Sequence, residues 1–363
     1  MDRRQFIQTS SVLLSGTTLA GCLGGDSDES EDNGTDAAGP EFPAYDLPGY
    51  SAWPPNDPRT NDFVLFGHLN IEHLHGTAGD EEESPDEAPT AADDEDVLLS
   101  LPGYGFIITA FWFQLGLWGY PWEGTLGSEN EPDGMATEAL TMTEGTFVFH
   151  GEYDPSVFAN EYAEGFEERE TNEFTVFEGR DGENTEGFAY AVSENAVVVA
   201  LSSEDIEEHD EIVGTLDEAL MNRVDEAGRI VDQDDGEWLY ETTGPADMVT
   251  GFWRVEGLEE EDLQTGDEES DEVEEEAASI EDNPVFANVD SFISMVVLPE
   301  SEGGVGGDTV AARFAALYPE GEVPSEDELR EELMASDPDG DLDVMTTDDR
   351  AHVMIEGIDD DVQ

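Results

Sequence analysis

Carboxylates crowd this sequence, and they restrict its fold more than any other feature. Aspartate and glutamate number 93 among 363 residues, the 11 basic residues are all arginine, and the formal net charge is −82. Like charges at this density repel one another, and this repulsion is screened well only near about 1 M salt, where the Debye length is about 3 Å. The same field repels phosphate, which excludes a nucleic-acid-binding protein. Because 37% of the residues are hydrophobic, the composition predicts a folded body suited to high salt.

The first 22 residues are predicted to be a targeting segment and not part of the fold. A short basic start leads into a weakly apolar stretch over residues 6–20. This stretch is shorter than the ~20 apolar residues that a membrane span needs. The alternative is a start helix or a span that carries a cysteine by chance.

The basic start contains an export motif. Arg3, Arg4 and Phe6 resemble the twin-arginine signal, in which an export machinery reads the arginine pair. The weak apolar region suits a route for cargo that is already folded. Folding before export is what a highly acidic chain in a salty cytoplasm would need.

The end of the segment resembles a lipobox. Leu19, Ala20 and Gly21 precede Cys22, which implies cleavage before Cys22 and lipidation of its thiol. With the acidic composition, the two motifs resemble those of haloarchaeal lipoproteins exported by the twin-arginine route. The resemblance implies a lipid-anchored protein at the outer face of the cytoplasmic membrane, with the membrane and the export machinery as partners. Cys22 is the only cysteine, so no intramolecular disulfide or cysteine-based metal site can form.

Three acidic stretches of low complexity interrupt the chain. Residues 23–40 are predicted to be a flexible linker, in which Asn33 begins a glycosylation sequon. Residues 79–96 and 259–282 each interrupt apolar sequence, so they are predicted to be solvated insertions. Calcium binding by these runs is the alternative, but flexible carboxylates lack the fixed geometry of calcium sites.

The remaining sequence is strand-rich. Alternating apolar residues bounded by turn residues predict strands near residues 62–74, 145–153, 174–178, 187–192, 196–201, 248–256, 289–298 and 309–318, with a closing hairpin over 342–358. Apolar residues at helical spacing predict helices over 155–168, from Ser203 to Val224, and over 325–335. The pattern predicts an α+β fold of antiparallel sheets with helices packed on one side. It also indicates two related subdomains, residues 41–245 and 246–363.

Residues 97–122 carry no charge and are rich in aromatic side chains. Three interpretations remain open: a buried central helix, an aromatic hairpin on the outer membrane surface, and a membrane span. Prolines near both ends, internal glycines and acidic flanks favour the buried helix.

Three of the six histidines cluster in the sequence. His68, His73 and His75 could bind zinc or copper in their neutral form, with Glu72 as an oxygen ligand. On a continuous strand, however, His68 would lie on the opposite face from the other two. The alternative is a strand followed by a surface turn.

A second candidate metal site lies near the C-terminus. Asp337, Asp339, Asp341 and Asp348 resemble the ligand positions of a calcium loop of the EF-hand or dockerin type. The loop's sixth residue should be glycine, and here it is Leu342. The alternative is a hairpin that turns at residues 348–349.

Catalytic motifs are not recognisable in the sequence: it has no nucleophile elbow, phosphate-binding glycine loop, zincin helix or cysteine nucleophile. No cofactor is predicted beyond the calcium and zinc hypotheses. The expected function is that of a surface binding or interaction module, whose partners are other surface proteins or small ligands. The alternatives are a surface hydrolase that uses a carboxylate pair and a solute-binding lipoprotein.

Overall fold

The computed structural model describes thirteen parts of the chain, and all of them belong to one compact unit. These parts are residues 42–56, 63–73, 97–102, 133–143, 145–180, 185, 188–200, 209–225, 227–254, 283–286, 288–298, 309–334 and 342–359. The predictions that lie outside them concern the export signal, Cys22, the linker with Asn33, both acidic insertions, residues 103–122, His75, Asp337, Asp339 and Asp341. These stay predictions.

The twelve strands found in the described parts form one open sheet, in which every neighbouring pair is antiparallel. Their bounds are β1 Phe63–Asn70, β2 Met135–Thr143, β3 Thr146–Tyr153, β4 Phe166–Thr171, β5 Phe174–Gly179, β6 Ala189–Val192, β7 Ala196–Ala200, β8 Met248–Arg254, β9 Ser291–Val297, β10 Thr309–Leu317, β11 Leu342–Thr346 and β12 Arg350–Asp359. In space the order is β11-β12-β10-β9-β8-β1-β2-β3-β7-β6-β5-β4. The prediction of an antiparallel, sheet-rich α+β fold is confirmed.

Helices pack against this sheet. Their bounds are α1 97–102, α2 Pro155–Val157 with a π-helix Phe158–Tyr162 that continues it, α3 His209–Asp225, α4 Asp234–Thr243 and α5 Glu326–Leu333. Within the described parts, no helix is both long enough and apolar enough to cross a membrane.

Helices cover both faces of the sheet. Val148 of β3 clusters with Ile212 and Leu216 of α3. The adjacent residue Phe147 clusters instead with Phe158 of the π-helix. Successive strand residues point to opposite faces, so α3 and the π-helix lie on opposite sides. One-sided helix packing is therefore not confirmed. We call the side of Val148 face A and the side of Phe147 face B.

Face A can be followed across the sheet by its register. Val148 pairs with Thr141, Thr141 pairs with His68, and His68 pairs with Val249. Val249 clusters with Leu239 of α4. Hence α3 and α4 share face A, and His68 lies near the centre of that face.

The sheet consists of two halves that meet where β1 pairs with β8. In the first half, β1, β2 and β3 form a meander, α2 follows, and β7 returns to pair with β3. In the second half, β8, β9 and β10 form a meander, α5 follows, and β12 returns to pair with β10. The predicted subdomain boundary at residues 245 and 246 falls just before β8, and both halves contribute strands to the same sheet.

Local sequence signals account for several of these elements. Ser325 caps α5, and Glu328 completes a capping box with it. The closing hairpin turns at residues 347–349, as predicted. The strands predicted from residue 174 to residue 201 correspond to β5, β6 and β7.

The prediction of a helix over residues 155–168 is wrong at its end. The helical turns stop at Tyr162, and β4 begins at Phe166. Gly165 lies between them with φ +90°, a left-handed conformation that favours glycine and lets the chain reverse. Phe166 then packs in the face B core. Strand β2 and helix α4 were not predicted.

Candidate functional site

A cleft on face A lies between the tip of the β4–β5 hairpin and the last turn of α3. Its volume is about 280 Å³, and Asn172, Glu173, Arg223 and Val224 line it. The first two residues belong to the hairpin turn, and the last two to α3. Val224, the predicted end of this helix, is 37% exposed. The buried stripe of α3 instead comprises Ile212, Leu216 and Leu220.

The two walls of the cleft are tied together by Arg169 of β4. Its guanidinium forms ion pairs with Glu178 of β5 and with Asp217 of α3. It also donates to the hydroxyl of Thr171, at 2.6 Å. One planar cation thus joins both hairpin strands to the helix.

The hairpin tip has a constrained backbone. Asn172 has φ 52°, the only left-handed φ found at a non-glycine residue in the described parts. Asparagine tolerates this conformation better than most residues. The turn therefore fixes the backbone position of Glu173, which lines the cleft.

Arg223 is the cationic residue of the cleft. Its guanidinium carbon lies 5.9 Å from the centroid of the Trp53 ring, and Trp53 is buried. Of the eight described arginines, four form ion pairs with described carboxylates, namely Arg169, Arg229, Arg254 and Arg350, and four do not, namely Arg180, Arg223, Arg313 and Arg330. Within the same parts of the chain, Arg223 forms no such pair, although Glu173 lines the same cleft. The 5.9 Å separation is at the outer limit of a cation–π contact between Arg223 and Trp53.

A chain of polar side chains lies behind Trp53. The Trp53 ring meets the His150 ring edge-on, with 6.2 Å between centroids. The Thr141 hydroxyl lies 2.8 Å from His150 Nε2 and 2.9 Å from His68 Nδ1. Tyr50 stacks on His68, with 4.3 Å between centroids. Three central strands and the segment before β1 therefore share one hydrogen-bonded and aromatic cluster.

Both imidazoles of this cluster are neutral near pH 7. Burial, helped by the neighbouring His150, lowers the pKa of His68 to about 3. Burial, helped by the Arg223 charge, lowers the pKa of His150 to about 4. The Thr141 hydroxyl can then donate to one ring and accept from the other, which satisfies the hydroxyl and the ring nitrogen that faces it on each histidine. The cluster supports the wall of the cleft and adds no positive charge to it.

His73 belongs to a different group at the end of the central strands. Its Nδ1 donates to Asp247 Oδ1 at 2.7 Å. Asp247 also accepts from the Asn70 side-chain amide at 3.1 Å and from the Leu298 N–H at 2.8 Å. A nearly buried carboxylate that orients an imidazole is one element of general-base chemistry. The same contacts also tie the ends of β1, β8 and β9 together.

The structure separates the predicted metal ligands that it describes. His68 contacts Thr141, and His73 contacts Asp247. Asp348 is an exposed turn residue of the last hairpin, and Leu342 is a buried residue of β11. Over the described ranges, no three histidine, cysteine, aspartate or glutamate side chains come together as metal ligands. The zinc and calcium sites stay predictions, because His75 and three of the aspartates fall outside those ranges.

Sequence reasoning missed the cleft because its residues are far apart in the chain. Glu173 and Arg223 belong to different elements, and no motif spacing connects them. The scarcity of basic residues was the one usable signal, since each of the 11 arginines has many carboxylates with which to pair. Comparison of the chain with protein-family models, with curated proteins and with solved structures finds no match.

Proposed function

We propose that this chain is an exported, lipid-anchored binding module at the outer face of the cytoplasmic membrane of a halophilic archaeon. The location is supported by the residues resembling the twin-arginine signal and the lipobox before Cys22. The halophilic origin is supported by the net charge of −82 and the absence of lysine. The binding role is supported by the cleft at Arg223.

One observation carries the binding proposal: Arg223 lines the cleft and forms no ion pair with a carboxylate of the described residues. Among the described arginines without a carboxylate partner, Arg223 is the one that lines this cleft. Arg223 is instead held over an aromatic ring at the wall of a cleft. Its planar fork suits the anionic group of a small ligand better than a point charge would.

The binding proposal is tested by saturation-transfer NMR on the mature protein in mild detergent and molar KCl. A panel of small carboxylates, amines and neutral solutes is screened against wild type and Arg223→Gln. At least one charged solute should show a saturable signal that Arg223→Gln removes. If no solute in the panel distinguishes the two proteins, the cleft is not a binding site.

The location is tested by two sets of substitutions. Cys22→Ser should release the protein from the membrane fraction, because the lipid acceptor is gone. Arg3→Lys combined with Arg4→Lys should leave uncleaved precursor in the cytoplasm, because the export receptor reads the arginine pair. Unchanged membrane association in the first variant, or normal maturation in the second, would contradict the proposed route.

We keep a hydrolase as the second candidate function. The contact between Asp247 and His73 supports it. Its catalytic groups would then be a carboxylate and an imidazole, and not the carboxylate pair expected from the sequence. The hydrolase hypothesis predicts that the wild-type protein hydrolyses a chromogenic ester or phosphoester and that His73→Asn loses this activity. Because His73 also ties strand ends together, the melting temperature of the variant must be measured alongside. Turnover that His73→Asn retains would remove this candidate.

We further propose that the two halves of the sheet are related subdomains. Their matching order of meander, helix and returning strand supports this. The sequence shows no repeat, so the relationship rests on topology alone.

A further inference from the structure

We propose that the cleft at Arg223 binds a small zwitterion, with the ligand's carboxylate on Arg223 and its ammonium group on Glu173. The proposal rests on the binding function above and names the ligand class for that site.

The first argument is the placement of two opposite charges. Glu173 and Arg223 line one cleft of about 280 Å³, yet they form no ion pair with each other. Here both walls are held by the ion pairs of Arg169, and the hairpin tip is held by the turn at Asn172. Both charges face the same cleft, so a molecule that carries the two complementary charges can contact both side chains.

The second argument is the size and lining of the cleft. Its volume lies just below the range of about 300–1,000 Å³ for drug-sized ligands, so it suits a solute of only a few heavy atoms. Val224 provides an apolar contact on one side, and the Asn172 amide provides a donor and an acceptor on another. These groups match a short carbon chain between a carboxylate and a primary ammonium, which is the chemistry of a small α-amino acid.

Electrostatics favours the zwitterion over singly charged solutes. A simple anion bound to Arg223 would be repelled by the negative charge of Glu173. A simple cation bound to Glu173 would be repelled by the positive charge of Arg223. A zwitterion satisfies both groups without changing the net charge of the surface. Exposed ion pairs are individually weak, so we expect millimolar affinity and sensitivity to the loss of either charge.

Arg169 acts as a positioning residue in this proposal. It does not line the cleft, but its ion pairs connect the β4–β5 hairpin to α3. Arg169→Gln should weaken binding of the zwitterion more than binding of either singly charged solute, because only the zwitterion depends on the distance between the two charges. A purely structural role would lower the melting temperature without changing this selectivity.

The test uses three probes of similar shape: L-alanine, propionate and ethylammonium. Each is titrated by NMR into the mature protein in mild detergent and molar KCl. Wild type should bind L-alanine about tenfold more tightly than either other probe, and Arg223→Gln and Glu173→Gln should each remove this preference. The matched controls are Arg330→Gln on α5 and Glu167→Gln on β4, which make the same charge changes outside the cleft and should bind as wild type does. Circular dichroism confirms that each variant is folded.

The remaining outcomes overturn the proposal in distinguishable ways. If propionate binds as tightly as L-alanine and only Arg223→Gln weakens it, the cleft is an anion site, and the binding function stands without the zwitterion. If L-alanine binds equally to all variants, its site lies elsewhere. If none of the three probes binds, the zwitterion class is wrong, and the wider solute panel decides separately whether the cleft binds anything.

Discussion

His352 of β12 should make the protein less stable in mild acid. The residue is fully buried, and neither of its ring nitrogens has a hydrogen-bond partner in the described parts of the chain. Burial, helped by the nearby charge of Arg313, lowers its pKa from 6.5 to about 4. The folded state therefore keeps the imidazole neutral over a pH range in which the unfolded state takes up a proton. This contribution to stability is complete above the unfolded pKa and is lost as the pH falls from 6.5 towards about 4.

The size of the effect follows from that shift. Each pKa unit corresponds to about 1.4 kcal/mol, so at about pH 5 the proton taken up by the unfolded chain costs the folded state about 2 kcal/mol. His352→Leu removes this term. It also removes a buried polar group whose missing hydrogen bonds cost about 1–3 kcal/mol, so the variant should be no less stable than wild type at neutral pH.

The assay is urea unfolding in molar KCl at about pH 7 and about pH 5, followed by circular dichroism. The free energy of unfolding should fall by about 2 kcal/mol less in His352→Leu than in wild type over that interval. Carboxylates and the other buried histidines titrate in both proteins, so their contributions cancel in this difference. Met354→Leu is the control, because it changes a side chain on the same face of β12 without removing a titrating group. If wild type and His352→Leu lose equal stability, the folded protein does not hold His352 neutral and the reasoning is refuted.

Three further predictions concern the body of the protein. Lowering the salt from about 1 M to about 0.1 M lengthens the Debye length from about 3 Å to about 10 Å, so the melting temperature should fall steadily; a flat profile would mean that the acids sit in satisfied local networks. Gly251→Ala should lower the free energy of unfolding by about 1–3 kcal/mol. A Cβ atom added at this position would lie 2.0 Å from Phe66 Cζ. If the variant is as stable as wild type, the Phe66 ring can move aside. Deleting residues 79–96 or 259–282 should preserve cooperative melting if they are solvated insertions, and its loss would show that the deleted stretch is structural.

Local patterns predicted the elements whose causes are local. The period-two alternation near residue 147 predicted β3, the helical spacing over residues 325–335 predicted α5, and the acidic turn at residues 348–349 predicted the last hairpin. Strand β4 was missed because its residues are mostly charged and lack apolar alternation. It lies at the edge of the sheet, where one flank has no neighbouring strand and exposed charged side chains are expected.

The sequence by itself determined the chemistry of the surface, the resemblance to an exported lipoprotein and the α+β class, because these depend on composition, short motifs and periodicity. Only the tertiary structure decided that β1 pairs with β8, that helices cover both faces, and that Glu173 and Arg223 share a cleft. Each of these features depends on contacts between residues far apart in the chain, which strand register and helix packing bring together. Neither propensity nor spacing encodes such contacts, because they arise when the whole sheet assembles.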